Sequence, residues 1–202
     1  MLKAKIGDQL DPFLVNTSRL LQRVGLTPNM LTVIGVALNF LAAWALAVGE
    51  WLQGCSLIIL AGFFDILDGA VARNLKEETA FGSFLDSVLD RYSDLSLLVG
   101  LLLYYSQEKV VLYQVLVGMA IMGTALVPYT RARAEIVIPK CNVGWLERPE
   151  RILLIFLGAA IPWIMTTVIW ILAIFTNLTV IQRILYTRRE IAKITQGEMY
   201  RG

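Results

Sequence analysis

Long uncharged stretches dominate this chain. Leu31 to Val48 carries no charged residue, and stretches nearly as apolar cover 52–72, 83–105, 110–129 and 152–185. A bilayer crossing takes about 20 mostly apolar residues in one helix, because backbone N–H and C=O groups in lipid must be paired within their own segment. Residues 152–185 are too long for one such helix and hold Pro162 between apolar flanks, so they read as two spans turning near 158–162. Short turns at 49–51 and 106–109 and polar segments at 73–79 and 131–151 separate the others. The expectation is an all-α integral membrane protein with six transmembrane helices. Composition agrees: 57% of the 202 residues are hydrophobic and 17% charged, against about a quarter charged in an ordinary soluble domain, and the mean hydropathy is +0.65.

An N-terminal amphipathic helix should precede the bundle. Lys3, Lys5, Asp8, Asp11, Arg19 and Arg23 interleave with Ile6, Leu10, Phe13, Leu14, Leu20 and Leu21. That pattern suits a helix lying in the interface better than a cleaved signal, serving as an anchor or as a lid beside a cytosolic site. Without repeats or low-complexity stretches, 1–202 reads as one domain: a juxtamembrane helix at 1–26, a six-helix bundle at 27–186 and a cytosolic tail at 187–202. Basic residues set the orientation. Lys3, Lys5, Arg73, Lys76, Arg131, Arg133, Lys140, Arg148, Arg151, Arg183, Arg188 and Arg189 all fall on the side of the termini, and Lys109 on the other. The termini and both polar segments are therefore expected in the cytoplasm, with Trp51, Tyr104, Tyr105 and Trp163 near the far interface.

Histidine is absent, which excludes His-based triads, His-ligated zinc and the usual general base. Cys55 and Cys141 share no metal-ligand or redox spacing and read as ordinary thiols. Acid–base and metal chemistry must then fall to carboxylates, and four stand where they are costly. Asp65 and Asp68 close the second span; Asp86 and Asp90 open the third. An ionised carboxylate at membrane depth costs at least a few kcal/mol. Spacings of i, i+3 and i, i+4 put each pair on one helix face, and the short connection between them predicts antiparallel neighbouring helices whose faces meet. Four convergent carboxylates call for a divalent cation, and all-oxygen ligation favours Mg²⁺, Mn²⁺ or Ca²⁺ over zinc. Arg73 and Arg91 are available to pair with the acids as helix glue, but two cations are too few. A proton or cation transporter also uses intramembrane carboxylates; here the acids crowd one end, and no paired broken helices accompany them.

The stretch reads Asp65-x2-Asp68-Gly69-x2-Ala72-Arg73-x8-Gly82-x3-Asp86-x3-Asp90. At every fixed position it resembles the signature of the CDP-alcohol phosphatidyltransferase family, and the six-span layout agrees with that family's fold. The resemblance implies that Asp65, Asp68, Asp86 and Asp90 hold Mg²⁺ (or Mn²⁺), two ions in all, with Asp90 also the general base. It further implies that Gly69, Arg73, Thr79 and Gly82, with Asn29, Met30, Leu31 and Thr32, contact the CDP-lipid. Homodimers are common in the family, and no nucleic-acid partner is implied.

Two basic motifs bear on the acceptor. Tyr129-Thr-Arg131-Ala-Arg133-Ala-Glu135 and Glu147-Arg148-Pro149-Glu150-Arg151 are similar to their counterparts in the family's phosphatidylinositol phosphate and archaetidylinositol phosphate synthases. By that resemblance Arg131, Arg133 and Arg183 grip the phosphate of inositol 1-phosphate, the donor being CDP-diacylglycerol or CDP-archaeol and CMP the product. Glycerol 3-phosphate as acceptor (a phosphatidylglycerophosphate synthase) and a soluble CDP-inositol donor (a di-inositol phosphate synthase) are the alternatives. Arg188 and Arg189 read as part of the basic cytosolic face. Glu147 to Arg151 read as an internal ion-pair network with no ligand role.

Overall fold

The structure, a computed structural model, describes residues 27–75 and 79–199, with the backbone alone at 70–75 and 196–199. The expected interfacial helix at 1–26 lies outside them. Six α-helices follow in order: α1 Pro28–Ala47, α2 Trp51–Leu75, α3 Ala80–Gln107, α4 Val111–Ala134, α5 Arg148–Ala160 and α6 Met165–Met199. A 3₁₀ turn at Pro162–Ile164 joins the last two, where the Pro162 break was expected. No strand occurs among the described residues.

Local chemistry starts these helices. Thr27 caps α1 by accepting from the Met30 N–H at 3.4 Å, with Pro28 supplying a preset φ in the first turn. Thr79 does the same for α3, accepting from the Gly82 N–H at 2.9 Å.

Four segments are long and apolar enough to cross a membrane: Pro28–Ala47, Trp51–Gly69, Val111–Ala134 and Pro162–Thr195. The other two expected spans differ for separate reasons. Helix α3 is 28 residues long but carries Asp86, Asp90, Arg91 and Asp94 among its first 15 residues. Helix α5 has only 13 residues, reaching about 20 Å at 1.5 Å per residue. Helix α6 is continuous through Met199, so no break separates a tail from the bundle at 186–187. Many large apolar side chains face outward, among them Trp44, Leu52, Val111 and Trp163. An aqueous surface would not tolerate so extensive an apolar exterior, and the protein is an integral membrane protein.

Helix α1 packs along both α2 and α3, α4 pairs with α6, and α5 bridges the groups through α2 and α6. Helices α2 and α3, expected as antiparallel neighbours, both lie against α1, and their acidic faces meet at one end. Lipid-embedded helices gain little from hydrophobic transfer and associate through close packing of small residues and through polar pairs. At Gly100 an added Cβ would overlap the Ala43 backbone, and at Gly123 it would strike Thr176, so α1–α3 and α4–α6 approach as glycine permits. The apolar core fills one half of the bundle: Leu46, Ile58, Leu97, Leu98, Leu101, Val117, Ile155 and Leu172 interlock there. At that end Trp51 stacks edge-on against Tyr104 with centroids 4.7 Å apart. The buried polar groups Asp68, Asp94, Arg151, Thr179 and Arg183 occupy the other half.

Candidate active site

Where α2 ends and α3 begins, carboxylate oxygens of Asp65, Asp68 and Asp86 lie within 4.8 Å of one another. Thr32 on α1 donates to Asp68 Oδ2 at 2.6 Å and fixes that nearly buried carboxylate. Small residues of α1 and α2, Gly35, Ala61 and Gly62, leave a cavity of about 200 Å³ beside the acids, also lined by Asp90 and Arg148. Three like charges this close repel unless a cation stands among them. Hard oxygen donors from three chain positions suit Mg²⁺ or Mn²⁺, with remaining positions open to water or phosphate. The donor set therefore fits the expected metal, and the protein binds a divalent ion.

The fourth aspartate is placed differently. Asp90 Oδ1 lies 2.8 Å from Nη2 of Arg148, and the same guanidinium reaches Asp65 at 3.3 Å and Asp94 at 3.3 Å. Arg151, one turn on, grips Asp94 at 2.6 Å with both side chains almost wholly buried. Among the described residues the cations paired with the acids thus come from α5, in the segment expected to form an internal ion-pair network. Arg91, offered as a partner, instead donates to the Ser87 carbonyl at 3.3 Å, and the Arg73 side chain lies outside the described residues. A signal existed in the sequence: Arg148 and Arg151 at i, i+3 match Asp90 and Asp94 at i, i+4, two complementary faces.

The residues expected around CDP divide. Thr79, Gly82 and Asn29 come together, since a Cβ at Gly82 would stand 2.9 Å from Thr79 Oγ1 and 3.3 Å from Asn29 Oδ1. Gly69 directly follows Asp68 on α2, and Met30 faces outward beside Asn29. Thr32 reaches the metal carboxylate. Leu31 has no exposed surface; its side chain packs α1 into the bundle rather than facing a ligand.

The arginines expected to bind the acceptor's phosphate gather at the α4 and α6 ends. Arg183 is 2% exposed and donates from Nε to the Val143 carbonyl at 2.8 Å, from Nη1 to the Val127 carbonyl, and from Nη2 to Glu147 at 3.0 Å. Arg131 donates to Glu135 at 3.1 Å and to Asn142 at 3.3 Å, and stands 4.0 Å from Glu147. The bond from Arg131, aided by the Cys141 N–H, holds Glu135 below the usual carboxylate range. Arg133 is exposed and makes no ion pair among the described residues; with Tyr129, Arg183 and Arg188 it lines a second cavity of about 430 Å³. Arg188, read as part of the basic face, thus shares that cavity.

Known proteins are similar to this chain over most of their length. Archaetidylinositol phosphate synthase of Methanothermobacter thermautotrophicus is 38% identical over 170 residues, 81% of this chain and 84% of the relative. The crystal structure of Mycobacterium tuberculosis phosphatidylinositol phosphate synthase with CDP-DAG bound superposes with a TM-score of 0.81 at 29% identity, covering 86% of this chain and 92% of that one. The same enzyme in complex with manganese and citrate gives 0.78 at 29% identity, over 86% and 88%. The CDP-alcohol phosphatidyltransferase family model matches residues 25–184. With that match spanning the bundle and the metal carboxylates, the chain belongs to the CDP-alcohol phosphatidyltransferase family.

Proposed function

We propose that this enzyme transfers a phosphatidyl or archaetidyl group from a CDP-lipid to inositol 1-phosphate and releases CMP. The observation that carries the reading is the Asp65–Asp68–Asp86 cluster opening on a cavity, with Arg131, Arg133 and Arg183 grouped near the same end of the bundle. Inositol phosphate synthases among the relatives and a CDP-DAG complex of a structural neighbour support the choice of donor and acceptor.

The divalent ion, when bound, neutralises the donor diphosphate and the CMP that leaves. Asp65, Asp68 and Asp86 hold it, and Thr32 orients Asp68. Asn29, Thr79, Gly69 and Gly82 form the wall against which the nucleotide rests, and the family signature adds Arg73 as a phosphate-binding residue. Asp90 accepts the proton of the attacking inositol hydroxyl. The new bond joins that oxygen to the β-phosphorus in line with the breaking bond to CMP. Arg148 holds Asp65 and Asp90 at the cavity, and Arg131, Arg133 and Arg183 position the acceptor's phosphate.

In the membrane, α3 and α5 cross alongside the four apolar helices, α3 with its acids turned inward and α5 ending at the far interface with Trp163. The described helices form one domain. The positive-inside bias of the basic residues supports a cytoplasmic acid cluster, and the family resemblance supports a homodimer.

The test follows CMP release from CDP-diacylglycerol and CDP-archaeol in detergent with Mn²⁺. Inositol 1-phosphate, glycerol 3-phosphate, inositol and serine serve as acceptors, and Asp90→Asn is the blank. Release dependent on inositol 1-phosphate and lost in the blank supports the reading. Release with glycerol 3-phosphate alone replaces the acceptor, and undiminished release by Asp90→Asn removes Asp90 as the base.

A further inference from the structure

The two best-anchored arginines of the acceptor region share one anion, and it belongs to the protein. Glu147 Oε1 lies 3.0 Å from Arg183 Nη2 and 4.0 Å from Arg131 Nη1. The other nitrogens of Arg183 bond to neutral carbonyls, so Glu147 is its only charged partner among the described residues. Arg131 has a second carboxylate, Glu135, on its Nε at 3.1 Å. The exposures are lopsided. The Arg183 side chain is 2% exposed and that of Glu147 46%, so the carboxylate covers the buried guanidinium from the open side. Glu147 is also the N-cap residue of α5, yet its side chain makes no capping hydrogen bond. The helix start does not need this carboxylate; the arginines do.

We propose that Glu147 is an internal stand-in for the acceptor's phosphate, a specificity-determining gate that only a doubly charged, multi-oxygen anion displaces. A neutral polyol has nothing to offer two guanidinium groups already satisfied by a carboxylate. A phosphate brings more negative charge and more acceptor oxygens than the carboxylate it replaces, and Glu147, at the open side of the site, has room to swing outward. The gate rests on the assignment of Arg131 and Arg183 to the acceptor's phosphate, but not on which phosphorylated alcohol carries it.

The test uses the full chain in detergent, as wild type, Glu147→Gln and Glu147→Asp, with inorganic phosphate titrated calorimetrically and steady-state constants measured for inositol 1-phosphate. Removing the carboxylate should tighten phosphate binding about tenfold, with the exposed side of the pair limiting the gain. It should also lower the KM for the phosphorylated acceptor several-fold with a smaller change in kcat. The shorter aspartate, which keeps the charge and retracts from Arg183, should fall between, and it carries the test if the glutamine variant does not fold. A clamp that merely holds the 135–147 loop predicts the reverse: unchanged or weaker phosphate binding in both variants together with a lower Tm, and that result would overturn the gate. If phosphate tightens as expected while no variant turns over inositol 1-phosphate, the gate stands and the acceptor assignment fails.

Discussion

Asp86 and Asp94 stand two helical turns apart on α3, and the same chemical change at each should have opposite effects. Asp94 is 2% exposed and accepts from Arg151 at 2.6 Å, itself 3% exposed, and from Arg148 at 3.3 Å. Asp94→Asn preserves volume but leaves the Arg151 guanidinium buried without a counter-charge, and its Nε already lacks a partner. Breaking one side of a buried pair costs about 3–5 kcal/mol, a large share of the roughly 5–15 kcal/mol that holds a typical fold. At about 2–4 °C per kcal/mol for a chain of this size, the metal-free Tm should fall by about 6–20 °C. Asp86 sits instead among like charges, its oxygens within 4.8 Å of those of Asp65 and Asp68. Asp86→Asn relieves repulsion, so the metal-free Tm should hold or rise. What it should lose is the stabilisation by Mn²⁺, which for an intact site amounts to about 2.7 kcal/mol at a hundredfold excess over Kd. Thermal unfolding of the wild type and both variants in detergent, with EDTA and with Mn²⁺, measures these shifts. An Asp94→Asn variant that melts with the wild type in EDTA would refute the buried-pair argument. An Asp86→Asn variant that keeps its full Mn²⁺ shift would refute the metal assignment.

Two further outcomes follow from the same geometry. Arg148 competes with a cation for Asp65, so Arg148→Gln should raise apparent Mn²⁺ affinity roughly tenfold, a gain of about 1.4 kcal/mol, while lowering the metal-free Tm; Mn²⁺ titration by electron paramagnetic resonance reads the affinity without turnover. Glu135, held below its ordinary range chiefly by the hydrogen bond from Arg131, contributes stability that is present above its unfolded value of about 4.3 and lost as pH falls through the folded value. Proteolytic nicking of the 135–147 loop should therefore rise as pH drops below that unfolded value in the wild type, and should be high and pH-independent in Glu135→Gln.

The membrane class, the turns at 49–51 and 106–109, the break at Pro162 and the pairing of Asp65 with Asp68 were legible along the chain, because each depends on residues a few positions apart. Three acids meeting was legible too, since carboxylates do not enter apolar helices without a partner or a purpose. Partners distant in sequence were not. Arg148 meets Asp65 from 83 positions away and Arg183 meets Val127 from 56. Such contacts depend on how each helix is rotated about its axis and how closely its neighbour approaches. Those quantities are settled by packing at sites such as Gly100 against Ala43, by α1 packing on both α2 and α3, and by the short reach of α5. Charge and hydropathy patterns identify which groups need partners; the rotation and spacing of the packed helices select which partner each one gets.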